Sequence, residues 1–441
     1  MTDLTSDVAR AIQAPAAHAS RPRRVPFFSR QLQRLLAQVT YGDITIVLPN
    51  GETLRRQASS PGPSAKLVIR RWRAIWRLIN GGELGFAEAY IAGDWWTPNL
   101  AAFLEFGARN DTGMPHAISG SLVHRLIVRL RHLRNRNTRR GSRRNIAAHY
   151  DLGNAFYKLW LDRGMQYSAA LFTDNDQTLE AAQNAKLARI LQLLDISGGE
   201  RVLEIGCGWG ALMDRLTSHC DVTGITLSAE QLAFTRDRIA GAPNAQARLQ
   251  DYRDIAETFD RIVSIEMIEA VGERYWPVYF EKLRSALEPG GTVLLQAITI
   301  DVARFDKYRQ QPDFIQRYIF PGGVLPTVDI IRQQAAGAGL ELTIHQPFGS
   351  SYAQTLAIWR ERFLMAWPQI KQLGFDDRFK RMWHYYLCYC EAGFRSGAID
   401  VGFFKFKPAV ADAARCGQFM TAPAASVSAA RAEKSSVRIA P

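Results

Sequence analysis

From about residue 185 onward, short apolar runs alternate with stretches in which apolar residues recur every three or four positions. That rhythm predicts strands alternating with helices. Val202, Leu203 and Ile205 mark a short buried strand over 201–206, which opens into Cys207-Gly-Trp-Gly210 and a helix over 211–218. A strand over 221–226 precedes a helix over 228–239, and 261–265 and 292–298 supply later strands. The alternation predicts a mostly parallel sheet covered on both faces. Such sheets bind ligands at the carboxyl ends of their strands, so functional residues are expected just after Ile205, Thr226, Gln250 and Ile265. Upstream the pattern differs. Asp43-Ile-Thr-Ile-Val-Leu48, then Pro49-Asn50-Gly51 and Glu52-Thr53-Leu54, predict a hairpin, while 68–80 and 84–94 predict helices. Residues 1–30 and 422–441 are rich in Ala, Ser, Pro and Arg without sustained periodicity and read as disordered ends. The expected division is therefore 1–30, an N-terminal domain over 31–145, a larger domain over 146–421, and a tail over 422–441.

Composition narrows the function. No run of 18 apolar residues or more occurs, nor does a charged start followed by an apolar stretch and a cleavage site, so a cytoplasmic location is expected. Cysteines at 207, 220, 388, 390 and 416 form no CxxC pair and no His/Cys cluster, which supports neither a disulfide framework nor a metal site. The net charge of +13 points to a polyanionic partner. Nine arginines fall between Arg125 and Arg144, in a stretch that begins with Leu122, Leu126, Ile127, Leu130 and Leu133 at amphipathic spacing. A basic amphipathic segment suits peripheral attachment to an anionic membrane surface, here the inner face, although charge alone does not separate lipid from nucleic acid.

Gly206-x-Gly208-x-Gly210-Ala211 between a strand and a helix lets the backbone approach a nucleoside closely. The same spacing satisfies a dinucleotide fingerprint. Three features favour a sulfonium cofactor, S-adenosylmethionine: Glu204 lies on the strand before the loop, no acidic residue ends the second strand at Thr226, and no further dinucleotide half follows.

The segments His149-Tyr-Asp-Leu-Gly-Asn154, Gln166-Tyr-Ser168, Val202-Leu-Glu-Ile-Gly-Cys-Gly-Trp-Gly210, Gly224-Ile-Thr-Leu-Ser228, Gln250-Asp-Tyr-Arg-Asp254, Tyr318-Ile-Phe-Pro-Gly-Gly323 and Tyr352-Ala-Gln-Thr-Leu356 occur in order. Together they resemble the cyclopropane fatty acid synthase family, which includes mycolic acid cyclopropane synthases and methyltransferase relatives. The resemblance runs from about His149 to Asp400 and, more weakly, into the N-terminal domain. It implies a Rossmann-like class I methyltransferase fold with a seven-stranded, mostly parallel sheet, a smaller lipid-binding N-terminal domain and a homodimer. It also implies cofactor contacts at Tyr167, Ser168, Gly206, Gly208, Thr226, Gln231, Tyr252 and Ile265, to which the strand position adds Glu204.

The implied reaction adds a one-carbon unit to the double bond of an unsaturated phospholipid acyl chain. An alkene is a weak nucleophile, so positioning and cation stabilisation carry the chemistry, and Tyr150, Tyr318, Phe320, Tyr352, Trp383, Tyr385 and Tyr386 are candidate aromatic partners. Tyr352 and Tyr318 are singled out for direct roles. Cyclopropane synthases resemble one another in a bicarbonate cage of Cys, Glu, His and Tyr. Here Glu269 and Tyr352 match, but Ala169 stands for the Cys and Gln296 for the His; Ala270 replaces a histidine after the glutamate, and Glu266 adds a carboxylate. Bicarbonate is therefore left open. Proton loss from the added methyl closes a ring, whereas loss from a neighbouring chain carbon gives a methylene or methyl-branched product. The segments around Glu266, Gln296 and Glu391 resemble the branch making the latter, so transfer without ring closure is expected, with Glu269 as the base or its holder and Glu266 and Glu391 as secondary carboxylates. A saturated branch would need a separate reductase. Two other classes stay open, a nucleic-acid methyltransferase and a non-catalytic lipid-binding protein; the first lacks an Asn/Asp-Pro-Pro-Tyr motif, so nucleic acid is not expected as a partner.

Overall fold

The computed structural model describes residues 32–33, 36–111, 138, 141, 152–174 and 176–409. The two terminal segments, the nine arginines of 125–144, and His149 and Tyr150 lie outside the described residues.

A small sheet comes first. Strands β1 (Tyr41–Val47), β2 (Thr53–Gln57), β3 (Ser60–Ile69) and β4 (Trp95–Trp96) lie in the order β2-β1-β3-β4. The expected hairpin is β1–β2, antiparallel across the turn at Asn50 and Gly51. Val68 and Ile69, read as the start of a helix, instead close β3 and pair with Trp96 and Trp95. The physical reason is period two: Ala65, Leu67 and Ile69 are buried on one face, and β-branched residues suit a pleated surface. The helix begins at Arg73 and runs to Ile91, broken at Gly82, whose φ of 60° and ψ of −147° are open to glycine and strained for other residues.

The second sheet has seven strands in the order β10-β11-β9-β8-β5-β6-β7, namely β5 (Arg201–Ile205), β6 (Asp221–Thr226), β7 (Ala245–Leu249), β8 (Phe259–Ile265), β9 (Leu287–Ile300), β10 (Leu340–Pro347) and β11 (Ile399–Pro408). β5 to β9 are parallel, and β11 runs antiparallel between β9 and β10. Helices cover both faces, as near-continuous apolar strands require. The chain goes from β5 outward through β6 and β7, then returns to β8 on the other side of β5. That reversal places a crevice at the carboxyl ends of β5 and β8.

The small sheet docks on the large domain through the helices that follow it. Tyr90 Oη lies 3.1 Å from His384 Nδ1, Arg381 donates to the Ile91 carbonyl at 2.7 Å, and Arg304 and Lys307 hold Asp111 at 3.0 and 2.9 Å. Among the described residues no helix is long and apolar enough to cross a membrane.

Candidate functional site

The turn after β5 is built from three glycines at positive φ, Gly206 (85°), Gly208 (53°) and Gly210 (80°). A Cβ at Gly208 would meet nothing within 4 Å, so the backbone there borders open space. That space is part of a cavity of about 900 Å³ also lined by Tyr167, Thr226, Gln231, Tyr252 and Ile265. The ends of β5, β6 and β8, with the turn that follows β7, therefore converge as the strand order requires. Ser228 caps the next helix and brings Gln231 back, so that Thr226 Oγ1 donates to Gln231 Oε1 at 3.0 Å. Tyr252, packed edge-on against Tyr279, presents its ring to the same space. The Tyr167 and Tyr386 hydroxyls lie 2.7 Å apart. Glycine backbone, hydroxyl, amide and ring edge form a cradle that fits a nucleoside carrying an amino-acid tail.

Two expected contacts lie behind this wall. Ser168 Oγ accepts from Lys186 Nζ at 2.7 Å, and Glu204 is buried in β5, its pKa pushed up to about 8 by burial against the pull of Lys186. Lys186 escaped the sequence reading although it sits on the apolar stripe of the helix Leu179–Leu193, with Ala182, Gln183 and Ile190 buried beside it. A lysine at such a spacing is the signal that would have found it. Burial lowers its pKa to about 8, opposed by Glu266, Asp162 and Glu204.

One residue beyond the cofactor-side Ile265 stands Glu266, at a positive φ of 49°. Its Oε1 accepts from the Ala169 amide at 2.8 Å and from Gln296 Nε2 at 2.7 Å, and its Oε2 accepts from the Tyr352 hydroxyl at 2.7 Å. Glu269 also faces the cavity, but its Oε1 takes one donor, the Ile298 amide at 2.6 Å, and its Oε2 has no hydrogen-bond partner among the described residues. Burial pushes Glu269 up to about 8, reinforced by the charge on Glu266. Burial also raises Glu266, while the Ala169 amide, Tyr352, Lys186 and Gln296 pull it back. Three donors against one favour negative charge on Glu266 over Glu269.

The donors that would hold bicarbonate are already engaged. The amide of Ala169, the Gln296 side chain and the Tyr352 hydroxyl all point at the carboxylate of Glu266, and a second anion would face two glutamates. The site does not fit bicarbonate.

Tyr318 and Glu391 are not brought into the cavity wall. The Tyr318 hydroxyl donates to Glu88 Oε1 at 2.7 Å, tying the helix Phe314–Tyr318 to the N-terminal unit, and Phe314 faces the cavity instead. Glu391 is buried between Arg360 and Arg395, 2.9 Å from each, as an ion pair within the fold. Of the remaining aromatics, Phe320, Tyr385 and Tyr386 line the cavity, and Trp383 is core. Beyond the glutamates the cavity continues as an apolar channel between Leu356, Phe314 and Tyr385 toward Ile44, Ile46, Leu67, Phe103 and Phe106 of the N-terminal unit.

Comparison with known proteins gives a match of residues 137–404 to the mycolic acid cyclopropane synthetase family. The chain is 38% identical to the tuberculostearic acid methyltransferase UfaA1 of Mycobacterium tuberculosis, over 91% of this chain and 94% of that one. It is 39% identical to the cyclopropane-fatty-acyl-phospholipid synthase of Escherichia coli, over 74% of this chain and 83% of that one. Among solved structures, the mycolic acid cyclopropane synthase CmaA1 complexed with SAH and CTAB aligns with a TM-score of 0.57 and 33% identity, covering 60% of this chain and 97% of that one.

Proposed function

The chain belongs to the mycolic acid cyclopropane synthetase family and is an S-adenosylmethionine-dependent methyltransferase, and from that premise we propose that it methylates the double bond of an unsaturated phospholipid acyl chain without closing a ring. The observation that carries this reading is the Glu266 carboxylate, fixed by three donors at the junction of cofactor cradle and apolar channel.

When bound, S-adenosylmethionine supplies an electrophilic methyl group. Gly206, Gly208, Thr226, Gln231, Tyr252, Tyr167 and Ile265 are the residues that would hold it at the strand ends. The chain's own part is to lay the alkene along the channel in line with that methyl and to exclude water, which would capture the cation. Tyr167, Tyr386 and Phe320 present rings that stabilise positive charge without adding to it. The π pair forms the new C–C bond and leaves a carbocation on the adjacent chain carbon. A hydride shift moves the charge to the methylated carbon, and Glu266 Oε2 or Oε1 then takes a proton from the methyl, leaving an exocyclic methylene and a neutral carboxyl; without that shift, loss of a methyl proton closes the ring and loss from a neighbouring chain carbon leaves a methyl-branched internal alkene. A saturated methyl branch needs a further hydride and proton, which a separate reductase would supply.

In this reading the N-terminal unit holds the far part of the acyl chain, and the protein works as a homodimer at the inner membrane face, drawn there by its net charge of +13. The name of the Escherichia coli relative supports the alternative product, a cyclopropane. The test is to express the protein in a heterologous host fed methionine with a labelled methyl and to analyse the lipids by mass spectrometry and proton NMR. A labelled chain with vinylidene or branched-methyl signals supports the reading; upfield cyclopropane protons overturn it in favour of ring closure, and unlabelled lipids overturn methyl transfer to lipid altogether.

A further inference from the structure

The first half of the helix Arg73–Ile91 has two unlike faces. Ile75 and Leu78 line the apolar channel, as do Gly81 and Gly82 at the break. On the adjoining side Trp76 is 60% exposed and Ile79 46% exposed, one helical turn apart. A tryptophan and an isoleucine turned to water on the same short stretch are unusual for a surface that stays in water. Around them the charge is positive. Arg70, Arg71 and Arg73 are exposed, and the Arg70 guanidinium stands 5.8 Å over the ring of half-exposed Trp96. The nearby acid Asp94 is fully buried and shared by Arg73 at 2.7 Å, Arg77 at 3.3 Å and Arg71 at 3.6 Å, so one negative charge is set against three positive ones.

We propose that this face docks on an anionic lipid bilayer, with Trp76 and Ile79 entering the interface while Arg70 and Arg71 meet headgroup phosphates. The proposal rests on the reading of an acyl chain as substrate and deepens it by naming the surface through which that chain is reached. Indole rings favour the interfacial zone because the ring is apolar and its N–H is not, and guanidinium groups bind phosphate with two parallel hydrogen bonds. An acyl chain rising from the bilayer beside Ile79 meets the channel lining at Gly81 and Gly82 on the same segment. Charge complementarity selects a membrane over a second copy of this basic chain, which would set arginines against arginines.

The experiment uses the full chain with vesicles of phosphatidylcholine alone or mixed with phosphatidylglycerol. Trp76→Ser with Ile79→Ser removes two side chains that stand outside the buried core. It should lower partitioning onto the anionic vesicles by about tenfold or more, with S-adenosylhomocysteine affinity and melting temperature unchanged. Arg70→Gln with Arg71→Gln should weaken the dependence on phosphatidylglycerol fraction. Undiminished vesicle binding by both variants overturns the proposal, as does a change of oligomeric state in light scattering, which would assign the face to a second copy. A parent protein that binds through this face yet labels no lipid overturns the proposed function and leaves the docking surface standing.

Discussion

Glu266 and Glu269 are three residues apart in the chain and differ in what surrounds them. With Glu266 as the proposed base, Glu266→Gln should abolish proton removal, lowering turnover by about 10²-fold or more while S-adenosylhomocysteine binding persists. Full turnover in that variant would remove Glu266 from the reaction. Glu266→Gly keeps the positive φ and frees the Ala169, Gln296 and Tyr352 donors; added bicarbonate should then restore part of the activity and move the product toward the ring. Glu269 has a separate signature. Its folded pKa of about 8 lies above its unfolded value near about 4.3, so the folded protein keeps a proton that the unfolded chain releases. Its contribution to stability is therefore full below the unfolded pKa and is lost as pH rises through about 8. Glu269→Gln should flatten the fall in melting temperature between about pH 5 and pH 8, and an unchanged slope in thermal scans would contradict the assignment. From sequence, both glutamates and Gln296 were visible, but the hydrogen bonds that set the two glutamates apart were not. The donors to Glu266 come from 97, 30 and 86 positions away, and no local pattern reports such a meeting.

Elements built on a single period were legible. β5, its glycine turn and the alternation that follows fall where the apolar rhythm places them, because strand burial and helix amphipathicity repeat at different intervals. Val68 and Ile69 depart from the helical expectation because these last two residues of β3 continue without a break signal into the helical run that begins at Arg73. The glycine turn gives a test at its own scale. Gly208→Val adds bulk where no protein atom stands within 4 Å, so it should cost stability through its φ of 53° by about 1–3 kcal/mol and weaken S-adenosylhomocysteine binding by at least about tenfold. Calorimetric titration decides, and unaltered binding would move the cofactor away from this turn.

At the scale of the whole molecule, the N-terminal sheet and the seven-stranded sheet share one channel, and the shared wall was the least legible feature, since it joins Ile46 to residues more than two hundred positions later. Ile46→Trp should shorten the channel, costing about 1–3 kcal/mol by overpacking and shifting preference toward shorter acyl chains in competition assays with mixed lipids. A length profile unchanged by that substitution would place the chain elsewhere. The ties at Tyr90, Asp111 and Glu88 hold the two parts of the wall in register. On the proposed function such a division of labour separates what is made from what is accepted: the two glutamates belong to the large domain, and the small sheet lines the far end of the cavity. Selection, or an engineer, can therefore retune the lipids that enter by exchanging side chains on the small sheet, leaving the reaction itself untouched.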